Sequence, residues 1–240
     1  MSEAVQHTVK SYEQELKRLR NMITEMGGLV ENQVSMAAEA IMESDNDAAG
    51  SAVEQDPKVD QMERDVEQFV IRLLALRQPV ADDLRHVIAA LKITADLERV
   101  GDYAANIAKR SIVLEQFQIP FSLTGFSHMS RLVQDNLKNV IDAYGANDAE
   151  KALEVWRSDE VIDDIYNAIF RELVTYMMED PRSITPCTHL LFVAKNMERI
   201  GDHATNIAEI VYYAVVGQAL TEKRPKGDNS AFAVVRPPVA

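Results

Sequence analysis

The chain has 240 residues, of which 47% are hydrophobic, so it can bury the core of one large domain or two small ones. Asp and Glu total 38 against 25 Lys and Arg, a formal net charge of -13. That balance argues against direct nucleic-acid binding and suits a cation or a basic partner surface.

The single cysteine, Cys187, excludes an intrachain disulfide and fits a reducing compartment. The N-terminal stretch MSEAVQHTVKSYEQELKRLR has no apolar core of a signal peptide, and no run of about 18 apolar residues could span a bilayer. A soluble, cytoplasmic protein is expected.

Only 9 Gly and 8 Pro punctuate the chain, and they fall mostly outside the periodic stretches, as in a helical protein. After a polar lead-in to His7, Thr8–Ser44 carries Leu16, Leu19, Ile23, Met26, Val30, Val34 and Ile41 in steps of three and four. This spacing predicts a long amphipathic helix. Gly27 and Gly28 sit inside it at a cost of roughly 1 kcal/mol each against alanine, so a bend or a close contact is expected there. Asp45–Asp47 can cap a second helix, Ala48–Arg77, which stops at Gln78-Pro79. Asp82 or Asp83 is expected to cap a third, from Leu84 to about Glu115. Residues 116–126 carry Pro120 and Gly125 without a helical period and read as a linker. Three further helices are predicted at Ser127–Tyr144, Ala149–Met178 and Pro186–Gly217, with Asn147-Asp148 as a cap. From Leu220 the chain has Pro, Gly and charge without period, and residues 218–240 are expected to be a disordered tail.

The chain repeats itself. Leu97–Ala108, LERVGDYAANIA, returns at Met197–Ala208 as MERIGDHATNIA, at an offset of one hundred. Upstream the offset is 103, matching Met26 with Met129, Asp45 with Asp148, Asp56 with Asp159 and Asp60 with Asp163. The second half has lost three residues in its turn between helices two and three. The predicted architecture is all-α, six long helices in two tandem three-helix bundles over residues 8–115 and 127–217. One continuous six-helix bundle is the alternative.

On a wheel of about 100° per residue, Ile93, Leu97, Val100, Ala104 and Ile107 share one side, and Glu98 and Asp102 fall on the other, one turn apart. Val193, Met197, Ile200, Ala204 and Ile207 repeat the apolar side, and Glu198 and Asp202 the acidic one. Leu84, Val87, Ile88 and Leu91 line up with Glu98 upstream, a pattern suited to a groove or a partner surface. Carboxylates at i and i+4 repel, so the arrangement needs compensation. One form is a divalent or trivalent metal ion, with Asp60 and Asp163 as third ligands from the second helices and Asn106 and Asn206 as amide donors. The other is ion pairing by Arg99, Arg199, Lys92, Lys195 or an Arg from the second helix. Gly101 and Gly201 let another helix come close.

Catalysis has little support. A di-iron oxidase would carry Glu-x-x-His pairs, whereas His203 is five residues after Glu198 and its counterpart is Tyr103. No phosphate loop, zinc spacing or serine elbow appears. His86, His128 and His189 do not recur and read as ordinary packing or surface residues.

The doubled L/M-E-R-[VI]-G-D-x-A-x-N-I-A motif resembles that of the PhoU family. MGGLVENQV, DPKVDQME, RQPVADDLR and LVTYMMEDPRSI also fit, and the likeness runs from about Glu15 to Gly217. The resemblance implies a cytoplasmic, dimeric regulator rather than an enzyme. Such proteins act with the Pst phosphate ABC transporter, through its ATPase subunit, and with the PhoR sensor histidine kinase. They hold the phosphate-starvation response off and restrain uptake when phosphate is plentiful. Membrane association is expected only through these partners. The family's acidic motifs, here Glu98–Asp102 and Glu198–Asp202, carry metal ions in some members, with iron, manganese, magnesium and zinc all compatible. Carrying over Asp60 and Asp163 is supported by their match in both halves, but Glu63 becomes Tyr166, so the two sites differ. The alternative class is a metal-storage or metal-dependent redox protein built on the same carboxylates. No phosphate pocket is evident, since the repeated constellation is anionic and phosphate would want Arg, Lys or free helix N-termini.

Overall fold

The structure, a computed structural model, describes residues 3–119, 122–222 and 224. The long apolar stripe at the start of the chain forms α1, Glu3–Glu43, which begins inside the stretch read as a lead-in. Its Leu19, Ile23, Met26, Val30, Val34 and Ile41 are all buried. The two glycines do not break it. A Cβ on Gly27 would lie 2.8 Å from Ile141 Cγ2, whereas one on Gly28 would meet nothing within 4 Å. Close approach is therefore the role of Gly27.

Asp45 starts α2, Asn46–Arg77, by accepting from the backbone N–H groups of Asp47 and Ala48 at 2.9 and 3.0 Å. Gln78, in a left-handed conformation before Pro79, ends it. The next helix, α3 (Ala81–Leu114), starts earlier than predicted. Val80 occupies the cap position with no side-chain bond, and Asp82 and Asp83 sit in the first turn instead. There they favour the positive end of the helix, and Asp82 pairs with Arg85 at 2.8 Å.

In the second half α4 spans Thr124–Ala146, and Asp148 caps the following turn as expected. The predicted single helix Ala149–Met178 is two helices, α5 (Ala149–Arg157) and α6 (Asp159–Glu179). The break is at Ser158, whose hydroxyl donates to the Val155 carbonyl at 2.8 Å and to Asn136 Oδ1 at 3.1 Å. A hydroxyl bonding back to its own helix competes with the regular ladder. A 3₁₀ turn, Pro181–Ser183, leads into α7, Ile184–Val216. Gly217, at φ 77°, closes it. No helix among the described residues is long and apolar enough to cross a membrane.

The fold is all-α, and the two repeats share one hydrophobic core. Within the first, α1, α2 and α3 pack on one another; within the second, α4, α5 and α6 pack on α7. The repeats meet where α1 touches α4 and, most extensively, along α3 and α7. Those two helices are antiparallel. Asp96 lies opposite His203, Tyr103 opposite Arg199 and Arg110 opposite His189, so one number rises as the other falls. The seam is polar in places. His203 Nδ1 and Asp96 Oδ1 are 2.6 Å apart, the Tyr103 and His203 rings lie 5.6 Å apart, and Arg110 stacks over Phe192 at 4.2 Å.

Candidate metal and docking site

The apolar side of the repeated motif packs as its spacing requires: Leu97, Val100, Ala104 and Ile107 are buried, and so are Met197, Ile200, Ala204 and Ile207. That fixes which way the acids face. The second helix of each repeat is drawn in by the repeated glycine. A Cβ on Gly101 would sit 3.3 Å from Val59 Cγ1, and one on Gly201 would sit 3.0 Å from Ile162 Cδ1. Val59 precedes Asp60, and Ile162 precedes Asp163. The close crossing therefore carries the helix-two acids up to the motif acids in both halves.

In the first repeat Asp56, Asp60, Glu63, Glu98 and Asp102 lie within reach of one another's field. Burial raises the Glu98 carboxyl above its ordinary range, and the charges of Asp102, Glu63 and Asp60 add to it while Arg99 opposes. Burial also raises Asp56, which the charges of Asp102 and Asp60 push further and a hydrogen bond from Gln33 opposes. Glu63 rises through burial and the nearby Glu67 and Asp60. Among the described residues Arg99 pairs with this motif, at 3.6 Å to Glu98 and 3.5 Å to Asp102, and its side chain is 60% exposed. Such a pair is worth little.

The second repeat holds the same acids in a different setting. Asp159, Asp163 and Glu198 are all buried. Burial pushes the Glu198 carboxyl up to about 7, against the hydrogen bond from Lys195 and with added charge from Asp202 and Asp163. Lys195 Nζ donates to Glu198 Oε1 at 2.8 Å, while Glu198 Oε2 is buried without a hydrogen-bond partner. Asp159 and Asp202 both accept from Arg224, and Asn206 also accepts from it, at 3.1 Å. Of the cations named as neutralisers, Arg99 and Lys195 do contact the acids; Arg199 instead lies over the Tyr103 ring at 5.6 Å.

All six predicted ligands thus fall into two clusters, Asp60 with Glu98 and Asp102, and Asp163 with Glu198 and Asp202. Asp56 and Asp159 belong with them, and their match at the 103-residue offset was the available signal. Among the described residues, no group of three or more His, Cys, Asp or Glu side chains stands close enough to hold a metal ion. The donor type, carboxylate oxygen throughout, is that of a hard cation, but the side chains as placed do not converge on one point. His203 is turned to Asp96 across the seam.

A family model for the PhoU domain matches residues 23–111 and again residues 126–211. The chain belongs to the PhoU family. It is 52% identical over 224 residues to the phosphate-specific transport system accessory protein PhoU homolog of Caulobacter vibrioides, covering 93% of this chain and 97% of that one. The Rhizobium meliloti homolog is 48% identical, with 94% and 95% covered. Among solved structures, PhoU from Pseudomonas aeruginosa superposes with a TM-score of 0.84 at 42% identity, covering 86% of this chain and all of that one. The phosphate transport system regulatory protein PhoU from Streptococcus pneumoniae gives 0.81 at 30%, with 88% and 100% covered. The two matched stretches leave out α1 before Ile23, residues 112–125 and everything beyond Val211.

Proposed function

We propose that this chain is a cytoplasmic, homodimeric, non-catalytic regulator of phosphate uptake. It holds the phosphate-starvation response off when phosphate is plentiful, by linking the ATPase subunit of a Pst-type phosphate transporter to a PhoR-type histidine kinase. The observation that carries this reading is the acidic groove between helices two and three, written twice on one helical body in the family's own motif. Relatives with nearly the full length in common are named as accessory proteins of phosphate-specific transport. A groove lined with carboxylates suits basic partner surfaces.

The first-repeat groove would hold a cation such as iron, manganese, magnesium or zinc through Asp60, Glu98 and Asp102, with Asp56 and Glu63 beside them. Asp163, Glu198 and Asp202 would do so in the second. A bound ion would neutralise the carboxylates and tie helix two to helix three. The chain's own contribution is to hold those helices in close contact at Gly101 and Gly201, so that the acids remain together whether or not an ion is present.

The test is Glu98→Ala combined with Asp102→Ala. The expected outcome is expression of phosphate-starvation genes in high phosphate. Normal repression by a folded, stable double variant would refute the assignment of docking to this groove.

A further inference from the structure

The two grooves differ in one respect that the repeat does not explain. Arg224, beyond both repeats, lies in the second. Its Nε and Nη2 grip both oxygens of Asp159 at 2.8 and 2.9 Å, the fork-to-fork geometry that favours arginine over lysine. Nη2 also reaches Asp202 Oδ1 at 2.5 Å and the Asp202 carbonyl at 3.4 Å, and Nη1 donates to Asn206 Oδ1 at 3.1 Å. Thr205 Oγ1 donates to Asp159 at 2.9 Å and so orients the carboxylate that receives the fork. The position equivalent to Thr205 in the first repeat is Ala105. The Arg224 side chain is only 16% exposed and that of Asp159 3%, so this pair is shielded from solvent in a way Arg99 is not.

The path to the groove is also built. Gly217 reverses the chain at the end of α7. Asp202 lies about 21 Å back along the helix axis from Val216, at 1.5 Å per residue. The eight steps from Val216 to Arg224 span at most about 26–29 Å when extended. The chain therefore turns back along α7 far enough for the Arg224 side chain to reach Asp202. Ala219, Leu220 and Glu222 border, with Leu84, Ile88 and Tyr213, one open cleft between α3 and α7, and Leu220 packs against the core.

We propose that residues 217–222 and Arg224 form a strap over the second acidic groove, with the Arg224 guanidinium as a tethered internal cation that an external metal ion must displace. Lys195 on Glu198 supplies a second internal charge, but from the same helix and through one bond. Among the described residues the first groove has no such occupant, so the two halves of the protein differ in cation affinity by construction. Glu198 Oε2, buried without a partner beside this cluster, is an oxygen that the strap leaves for an incoming ion. The competition rests on the metal-binding reading above; the docking of the strap does not.

Two measurements on the full chain separate these. In metal-free protein, amide hydrogen exchange at residues 217–222 is expected to quicken in both Arg224→Gln and Asp159→Asn, with exchange in α3 and α1 unchanged. Exchange in the strap that is unaltered in both variants overturns the proposal. Titration with Mn²⁺ alone, followed by calorimetry, is then expected to show second-groove binding about tenfold tighter in Arg224→Gln, the factor for a groove closed roughly nine-tenths of the time. Asp202→Asn in that background should remove the gain. Equal Mn²⁺ affinity in wild type and Arg224→Gln, with the first groove loading normally, also overturns it. Absence of Mn²⁺ binding to either groove in any variant would refute the metal reading, and the exchange result alone then decides the strap.

Discussion

Replacing Gly27 and Gly28 with alanine, one at a time, tests how the repeats are joined. Both lie inside α1 as adjacent residues, and both substitutions gain the same intrinsic helix propensity, roughly 1 kcal/mol. Their surroundings differ. A methyl at Gly28 enters open space, so that variant should be more stable than wild type by about 0.5–1 kcal/mol. A methyl at Gly27 would lie 2.8, 3.0 and 3.1 Å from three side-chain atoms of Ile141, itself only 6% exposed. The branched carbons of Ile141 cannot swing clear as a flexible chain end could, and forcing a methyl into a filled core costs about 1–3 kcal/mol. The net for Gly27→Ala is therefore a change between about zero and 2 kcal/mol in the destabilising direction. The gap between the two variants isolates the packing term, because the propensity gain cancels. Urea denaturation with a common slope reads that gap directly from the two midpoints. Equal stabilisation by both variants would refute the close contact of α1 with α4, and with it one of the two joints between the repeats.

Other expectations follow from single contacts. His203→Ala should lower stability by about 1–3 kcal/mol by leaving the largely buried Asp96 without its partner, and His203→Asn should recover part of the loss; no change in thermal or urea midpoint would contradict the seam geometry. Arg77 forks onto Glu15 at 2.7 and 3.0 Å and holds that carboxyl below its ordinary value. A depressed carboxylate stabilises the fold above its unfolded value near 4.5 and loses that contribution as pH falls through the folded value. Arg77→Gln should therefore lower the urea midpoint at pH 7, and the difference from wild type should shrink as the pH is taken below about 4.5; a difference independent of pH would rule the pairing out.

The helical architecture was readable because its signal is local and redundant. A stripe such as Leu19 to Ile41 has one low-energy solution, and Asp45 and Asp148 mark their turns unambiguously. The acids' separation from the core was readable for the same reason, since the wheel accounts for Leu97 and Val100 before it reaches Glu98. What escaped notice depends on tertiary contact. Ser158 sits at a helix break because Asn136 and the Val155 carbonyl are there to receive its hydroxyl. The difference in burial between Glu98 and Glu198 comes from neighbours on other helices, which a repeat match treats as equal. Arg224 left no periodic trace at all, because a strap is fixed by where its end docks and not by a face of its own. Of the stretch expected to be disordered from residue 218, Leu220 packs against the core and Arg224 bonds to Asp159 and Asp202; residues 223 and 225–240 lie outside the described residues.

The antiparallel pairing of α3 with α7 gives the duplicated sequence a geometric meaning. Two copies of one helix that meet head to tail around a common midpoint obey a local two-fold relation, the symmetry of a homodimer whose subunits use the same patch on each other. Here the two patches are covalently joined, so the seam has been free to become unequal. Tyr103 stacks where His203 reaches back to Asp96, and the counterpart of that aspartate, at the offset of one hundred, is Asn196. A true dimer would have to make every such exchange twice. Fusion let one chain vary a single side of its own interface, and that freedom is what allows one groove to stay open while its twin acquires a cover.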